Sequence, residues 1–526
     1  MPKWLEKAIF YEIYPQSFYD ANNDGIGDIE GIIQKLDYIA DLGCNALWIN
    51  PCFDSPFKDA GYDVRDYKKV ASRYGTNDDL FRLFKEAHKK NIRVLLDLVP
   101  GHTSEEHRWF TESKKVLPNE YSGRYIWSDS WIAWDLRDLH FIAGEAERNG
   151  VYIINFFKCQ PALNYGFLNP TEPWQMTPDK PDCIATREAL KDIMRFWLEG
   201  GGPGRGCDGF RVDMADSLVK LDDENKSATA AVWRNIRSML DAEYPEAAIV
   251  SEWSSPCCSL KAGFHADFLL DHEGSGYKSL VRDYKIEGEY IIIPGSDHSF
   301  FKKDGNGDIT RFLDQYLPWY EGSKKDGYIS LITGNHDTAR ISANLTPAEL
   351  ALAYAVLFTL PGVPFLYYGD EIGMRYIPLP TKEGGYTRTG SRTPMQWTEG
   401  QNKGFSKAPP DKLYLPLDSG DDAPSVQAQA GDPASLLNTL KAVLALRNAE
   451  PDLQAKPNLT ILYAQKNAMP FIYRRGVFIL AVNPGENTVT VQINAAGMPV
   501  YAIGHCGLEN GLCIMEARSF GVWRTE

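Results

Sequence analysis

Eight short runs of β-forming residues, separated by segments of helical periodicity, constrain this chain more than any other feature. They read as strands at 9–15 (IFYEIYP), 46–51 (ALWINP), 93–99 (RVLLDLV), 209–214 (GFRVDM), 248–253 (AIVSEW), 266–270 (ADFLL), 329–335 (ISLITGN) and 364–371 (PFLYYGDE). Helical patterns such as NDDLFRLFKEAHKKN (77–91) and REALKDIMRFWLEG (187–200) lie between them. Alternation of this kind specifies parallel α/β architecture, and eight repeats close a (β/α)8 TIM barrel. With 44% hydrophobic residues in 526, the chain can bury such a barrel and smaller domains besides.

Two interruptions and one tail break the alternation. Residues 104–177 are too many for one helix and rich in Trp, Tyr, Pro and Asn, so they read as an inserted subdomain. A second excursion, 372–432, is full of Gly, Pro and Asp. After the helical stretch 435–448 the pattern is purely β, with a turn at NPGEN. The expected organisation is a barrel from 1–103 and 178–450, an insert at 104–177, and a C-terminal β-sandwich at 451–526.

Bulk properties narrow the partners. Fifty-five basic against seventy acidic residues leave a net charge of −15, which argues against nucleic acid or an anionic membrane. No stretch approaches the ~20 apolar residues of a membrane span. The opening MPKWLEKAIFYEIYPQSF lacks the apolar region and cleavage site of an export signal. Nine scattered cysteines without metal-ligand spacing fit reduced thiols, so a cytoplasmic location is expected.

Functional groups in such barrels sit at the C-terminal ends of strands. Run three leads to Asp97 and His102, run four to Arg211 and Asp213, run five to Glu252, and run seven to His336 and Asp337. Each alone reads as structural; together they read as a site. Two carboxyls ~5–5.5 Å apart serve glycoside cleavage with retention, one as nucleophile and one as acid/base. Arg211 shares a strand face with Asp213 and would keep it ionised for attack. Glu252, beside Trp253 and with no adjacent cation in sequence, could keep a proton for the leaving oxygen. Asp337 and the histidines could hold sugar hydroxyls and stabilise charge developing in the ring.

These segments, DLVPGHTS, DGFRVDMAD, VSEW and TGNHDTAR, in that order, resemble the four signature regions of the α-amylase family, glycoside hydrolase family 13. YEIYPQSF, GYDVRDY, QPALN and GVPFLYYGDE are similar to further family stretches, so the likeness spans nearly the whole chain. It implies Asp213 as nucleophile, Glu252 as acid/base and Asp337 as transition-state stabiliser, with His102, Arg211 and His336 binding the innermost sugar. KDAGYDVRDY and GSRTPMQW point to the oligo-1,6-glucosidase, α-glucosidase and trehalose synthase branch. There the resemblance implies that Asp59 pairs with Arg392 across a dead-end pocket, with Tyr62 as a platform under the ring. Three positions depart from the pattern. Gly101 replaces an asparagine that ligates calcium in true α-amylases, so that metal site is not expected here. Ala162 and Met214 are unusual too, and the latter leaves linkage preference open.

The loop DANNDGIGD spaces Asp20, Asn22, Asp24 and Asp28 around a glycine turn, the oxygen-rich pattern a hard cation takes. The branch's calcium loop is similar and implies the Ile26 carbonyl as a fifth ligand; structural Ca²⁺ or Mg²⁺ and no organic cofactor are expected. KDGNGDIT (303–310) is a weaker candidate of the same kind. The function expected is exo-acting α-glucosidase on short oligosaccharides or disaccharides. The alternatives are a transglycosylase or isomerase such as trehalose synthase or a glucanotransferase, and a non-catalytic interaction protein on the same barrel. Oligomeric state is not readable from the sequence.

Overall fold

The structure, a computed structural model, describes residues 1–525 except 129–138, 203–204, 273, 283, 288–290, 295–297 and 385–387. Eight parallel strands form one sheet: β1 (Phe10–Ile13), β2 (Ala46–Ile49), β3 (Arg93–Leu98), β4 (Gly209–Val212), β5 (Ala248–Ser251), β6 (Ala266–Leu269), β7 (Tyr328–Leu331) and β8 (Phe365–Tyr367). Each pairs with its sequence neighbours, β1 pairs with β8, and a parallel bridge between Ile332 and Phe365 closes the ring. This is the (β/α)8 barrel expected from the eight runs.

Most strands are shorter than the runs that announce them. In run 329–335 the strand ends at Leu331, with Ile332 in a single bridge, and in run 364–371 it spans only Phe365–Tyr367. The chain leaves the ladder at each C-terminal end, where polar residues turn into the barrel mouth. Asp213 lies one residue beyond β4, although its N–H still donates to Leu98 O at 2.9 Å.

Helices cover the outside. In Asn77–Lys89 the buried residues are Leu80, Leu83, Phe84 and Ala87, spaced as one helical face requires. Thr76 and Asp79 cap its start reciprocally. The helix Pro347–Leu357 is buried all round from Glu349 onward, because the helix Leu436–Ala449 and the C-terminal strand Ser519–Arg524 pack against it.

Inside the barrel an aromatic plug supports a polar layer. Phe10 stacks on Phe365 with ring centroids 4.2 Å apart, and Trp48 packs against Phe268 at 5.3 Å. Arg211 lies over the Trp48 ring at 4.8 Å, and Trp48 Nε1 donates to Asp97 Oδ2 at 3.1 Å. The plug therefore carries the polar groups on its upper face and denies them water from below.

The segment after β3 contains a three-stranded antiparallel sheet of Trp127–Ser128, Val151–Ile154 and His140–Ala143. From Leu459 on, a five-stranded and a three-stranded antiparallel sheet enclose a second core that includes Ile472, Ile479, Cys513 and Trp523. Alternate residues of the same strands, Phe471, Tyr473, Leu480 and Val522, join the barrel core instead. The larger sheet is thus buried on both faces. Among the described residues no helix is long and apolar enough to cross a membrane.

Candidate functional site

Arg211 is the hub at the barrel mouth. Register places Arg211 on β4 opposite Asp97 on β3, and Arg211 Nη1 donates to Asp97 Oδ1 at 2.8 Å and to Asp213 Oδ1 at 3.1 Å. Its Nη2 donates to Glu252 Oε2 at 2.5 Å. This corrects one sequence expectation: Glu252 has no cation beside it along the chain, yet Arg211 reaches it from the neighbouring strand. The shared face of β4 points Arg211 at all three acids, not at Asp213 alone.

Three carboxyls around one guanidinium, largely buried, cannot all ionise freely. Burial first, then the neighbouring Glu252, push the Asp213 carboxyl well above the usual carboxylate range, with Arg211 opposing. Burial raises Asp97 as well, again against Arg211. Asp213 therefore takes up a proton more readily here than a carboxyl in water would. Just after Asp213 the backbone of Met214 turns left-handed at φ 39°, a conformation costly for a side chain of this kind, and its N–H donates to Glu252 Oε2 at 3.2 Å. The turn ties the residue after Asp213 to Glu252 on the next strand.

Across the mouth, His336 is wholly buried. Its Nδ1 lies 2.9 Å from Glu12 Oε1 and its Nε2 lies 3.1 Å from Asp337 Oδ2 and 2.6 Å from the Tyr62 hydroxyl. Burial opposes its charge, but Asp337 and Glu12 raise it to about 9, so it is an imidazolium at neutral pH. Burial likewise opposes the charge on Asp337, and His336, Arg388 and Arg392 overcome it, holding that carboxyl well below the usual range. Asp213 and Asp337 are thus set apart: one is shifted up, the other down.

The pocket's far end differs from expectation. Asp59 pairs with Arg388 Nη2, not with Arg392, and accepts a second bond from Gln160 Nε2 at 2.7 Å. Arg392 turns inward: its Nε donates to His336 O at 2.8 Å and its Nη2 to Asp337 Oδ1 at 2.7 Å, and only 2% of it is exposed. The reason is position. Arg392 directly follows the turn Thr389–Ser391, which anchors it over Tyr14, whereas Arg388 precedes that turn. Arg388 Nη1 also donates to Asp337 Oδ1 at 2.7 Å, so it joins Asp59 to Asp337. Arg388 and Gln160 are the residues the sequence reading missed. Arg388 carried a signal in standing four residues before Arg392.

Asp59, Tyr62, His102, Asp213, Met214, Glu252, Asp337 and Arg388 line one hollow of about 170 Å³, with Phe156 and Phe157 also on its wall. Burial pushes the His102 imidazole down to about 3, only partly offset by the Tyr62 carbonyl. Every one of the catalytic and substrate-binding candidates except Arg211, His336 and Arg392 reaches this hollow; those three lie immediately behind it, bonded to its walls.

The loop of residues 20–28 is closed by its own hydrogen bonds. Asp20 Oδ1 accepts from Asn23 N at 2.7 Å, Asp20 Oδ2 from Gly25 N at 2.8 Å, and Asp28 Oδ2 from Ala21 N at 3.0 Å and Asn22 N at 3.1 Å. Asp24 Oδ1 accepts from Ile26 N at 2.9 Å. The donors are hard oxygens, as a calcium or magnesium ion requires. Among the described residues, however, no three His, Cys, Asp or Glu side chains converge on a common point that could hold a metal.

A family model described as alpha amylase, catalytic domain, matches residues 12–456. The chain is 34% identical over 483 residues to the trehalose synthase/amylase of Mycolicibacterium smegmatis, covering 85% of this chain and 76% of that one. It is 30% identical over 536 residues to the glucan 1,6-alpha-glucosidase of Streptococcus pneumoniae, covering 93% of each. Among solved structures, an alpha-glucosyl transfer enzyme superposes with a TM-score of 0.77 at 26% identity over 100% of both chains. A mutant isomaltulose synthase from Erwinia rhapontici, in complex with D-glucose, has the same fold, with a TM-score of 0.79 at 23% identity over 100% of both.

Proposed function

The chain belongs to the α-amylase family, and from that premise we propose that it is a retaining, exo-acting α-glucosidase of short α-glucosides. The observation that carries the reading is the gathering of Asp213, Glu252 and Asp337 on one hollow of about 170 Å³, on whose wall Asp59 and Arg388 pair. A hollow that small takes one sugar ring, below the ~300 Å³ where drug-sized pockets begin.

In this reading the terminal glucose enters with its non-reducing end against Asp59 and Arg388 and its face on Tyr62. The Asp213 carboxylate attacks the anomeric carbon while Glu252 gives its proton to the departing glycosidic oxygen, leaving a glycosyl ester on Asp213. Glu252, now ionised, takes a proton from water, whose oxygen attacks the same carbon and frees Asp213. Arg211, bonded to both Asp213 and Glu252, accommodates either distribution of charge between them. Asp337, kept charged by His336, Arg388 and Arg392, faces the positive charge that develops in the ring.

A second reading keeps the ester but gives the glucosyl group to a sugar, yielding an isomeric disaccharide. It is favoured by the likeness to a trehalose synthase/amylase and to an alpha-glucosyl transfer enzyme. Incubation with maltose, isomaltose, sucrose and trehalose, read by chromatography and NMR, separates the two. Hydrolysis predicts glucose release; a new disaccharide of unchanged mass as the main product overturns it in favour of transfer.

Calcium in the loop of residues 20–28 belongs to the proposal on the chemistry of its oxygens alone. Bound metal would have to displace the loop's internal hydrogen bonds, and its expected effect is a higher melting temperature in added Ca²⁺ than in EDTA. Equal melts in both would remove the metal. All nine cysteines are free thiols, which supports a reducing, cytoplasmic location.

A further inference from the structure

Gly101 leaves a side-chain position empty beside His102, and a residue from elsewhere fills it. A Cβ on Gly101 would come 2.7 Å from Asn155 Nδ2, so the Asn155 amide, reaching in from the inserted segment, occupies that space. There Asn155 Nδ2 lies 3.3 Å from His102 Nδ1, and Asn155 Oδ1 accepts from Lys220 Nζ at 3.0 Å. Lys220 also donates to Ser217 O at 2.9 Å, which fixes its ammonium on the loop after β4.

The direction of this chain of bonds is dictated by donor chemistry. An ammonium only donates, so Lys220 draws the amide oxygen of Asn155 toward itself and turns the NH₂ group toward His102. An NH₂ group only donates as well, so His102 Nδ1 must accept. Burial keeps the imidazole neutral, and a neutral ring that accepts at Nδ1 carries its proton on Nε2. His102 Nε2 is buried with no partner in hydrogen-bond geometry among the described residues, on a side chain that lines the hollow, although the Tyr62 carbonyl stands near enough to the ring to favour its charge.

We propose that Asn155 and Lys220 are positioning residues that hold His102 as its Nε2–H tautomer, so that the ring offers a donor, not an acceptor, to a sugar hydroxyl. The inference rests on the reading that a sugar ring fills the hollow. It accounts for Gly101, since any larger residue there would expel the Asn155 amide. It also makes the inserted segment part of the site's proton arrangement as well as of its wall.

Asn155→Asp tests this with little change of shape. A carboxylate accepts only, so it keeps the bond to Lys220 and requires the proton on His102 Nδ1. Long-range ¹H–¹⁵N spectra, with the His102 signals assigned by their loss in His102→Gln, should show Nδ1 pyridine-like in the wild type and pyrrole-like in Asn155→Asp. A pyrrole-like Nδ1 in the wild type overturns the proposal, whether or not any glucoside is cleaved. On cleavable glucosides Asn155→Asp should lower kcat/KM about 10–100-fold. That loss should vanish on the one deoxyglucoside that lacks the hydroxyl facing His102. Lys220→Met, which frees the amide to turn, should lower kcat/KM less and with the same dependence on that hydroxyl. An equal loss on every deoxyglucoside would mean a merely structural role and overturn the proposal. Correct tautomers with no glucoside turnover would instead sink the proposed function and leave the tautomer assignment standing.

Discussion

Asp213→Asn is expected to lower kcat on any α-glucoside by at least about 10⁴-fold while leaving the fold intact. The amide keeps the shape of the carboxylate and its place at the hub, but it cannot form the glycosyl ester. Stability should hold or rise slightly. Burial and Glu252 raise the Asp213 carboxyl in the folded state, so its ionised form costs folding free energy that a neutral amide does not. An acid kept where it weakens the fold is a sign of a functional role. Glu252→Gln gives the complementary result: large losses on alkyl glucosides and small ones on aryl glucosides whose leaving groups depart without a proton. Turnover and melting curves on the two variants check both points. Near-normal turnover in Asp213→Asn would remove the covalent mechanism.

Arg211→Met should give the largest loss of stability, about 3–5 kcal/mol at neutral pH, because it strips the guanidinium bonded to Asp97, Asp213 and Glu252 together. The pH dependence follows from the sign of the shifts. Asp97 and Asp213 already have folded-state values above their ordinary range, and without Arg211 they rise further. Acids of this kind bind protons more readily folded than unfolded, so the deficit is full above their folded values and shrinks as pH falls through them. Urea unfolding of wild type and Arg211→Met from pH 5 to 8 should therefore show curves that converge toward acid. A gap that widens toward acid would mean that Arg211 is not what holds these carboxyls together.

Much of this molecule is legible in one dimension because its constraints are local. A parallel strand buried on both faces must be an apolar run, and β1 to β8 are such runs flanked by amphipathic helices. Asp213, Glu252 and Asp337 could be picked out because barrel closure brings every strand's C-terminal end to one mouth. The strand ends themselves were less legible, since pairing stops where the loops pull polar residues out of the ladder.

The pairing at the pocket's end was not legible for a different reason. Asp59 and Arg388 are 329 residues apart, and Arg388 and Arg392 are equally cationic members of one loop. Which of the two meets Asp59 depends on the path of the turn Thr389–Ser391 over Tyr14, and no short-range pattern records that path. The same holds for the cation beside Glu252, which arrives from a neighbouring strand, and for Asn155, whose amide fills the space at Gly101.

The sequence by itself therefore determined the barrel, the family and which acids stand at its mouth, because burial periodicity and strand-end position are properties of short segments. Only the tertiary structure decided how charge is shared among those acids and which arginine meets Asp59. Those outcomes depend on distances of a few ångströms between loops far apart in the chain, and electrostatic energies change steeply over such distances.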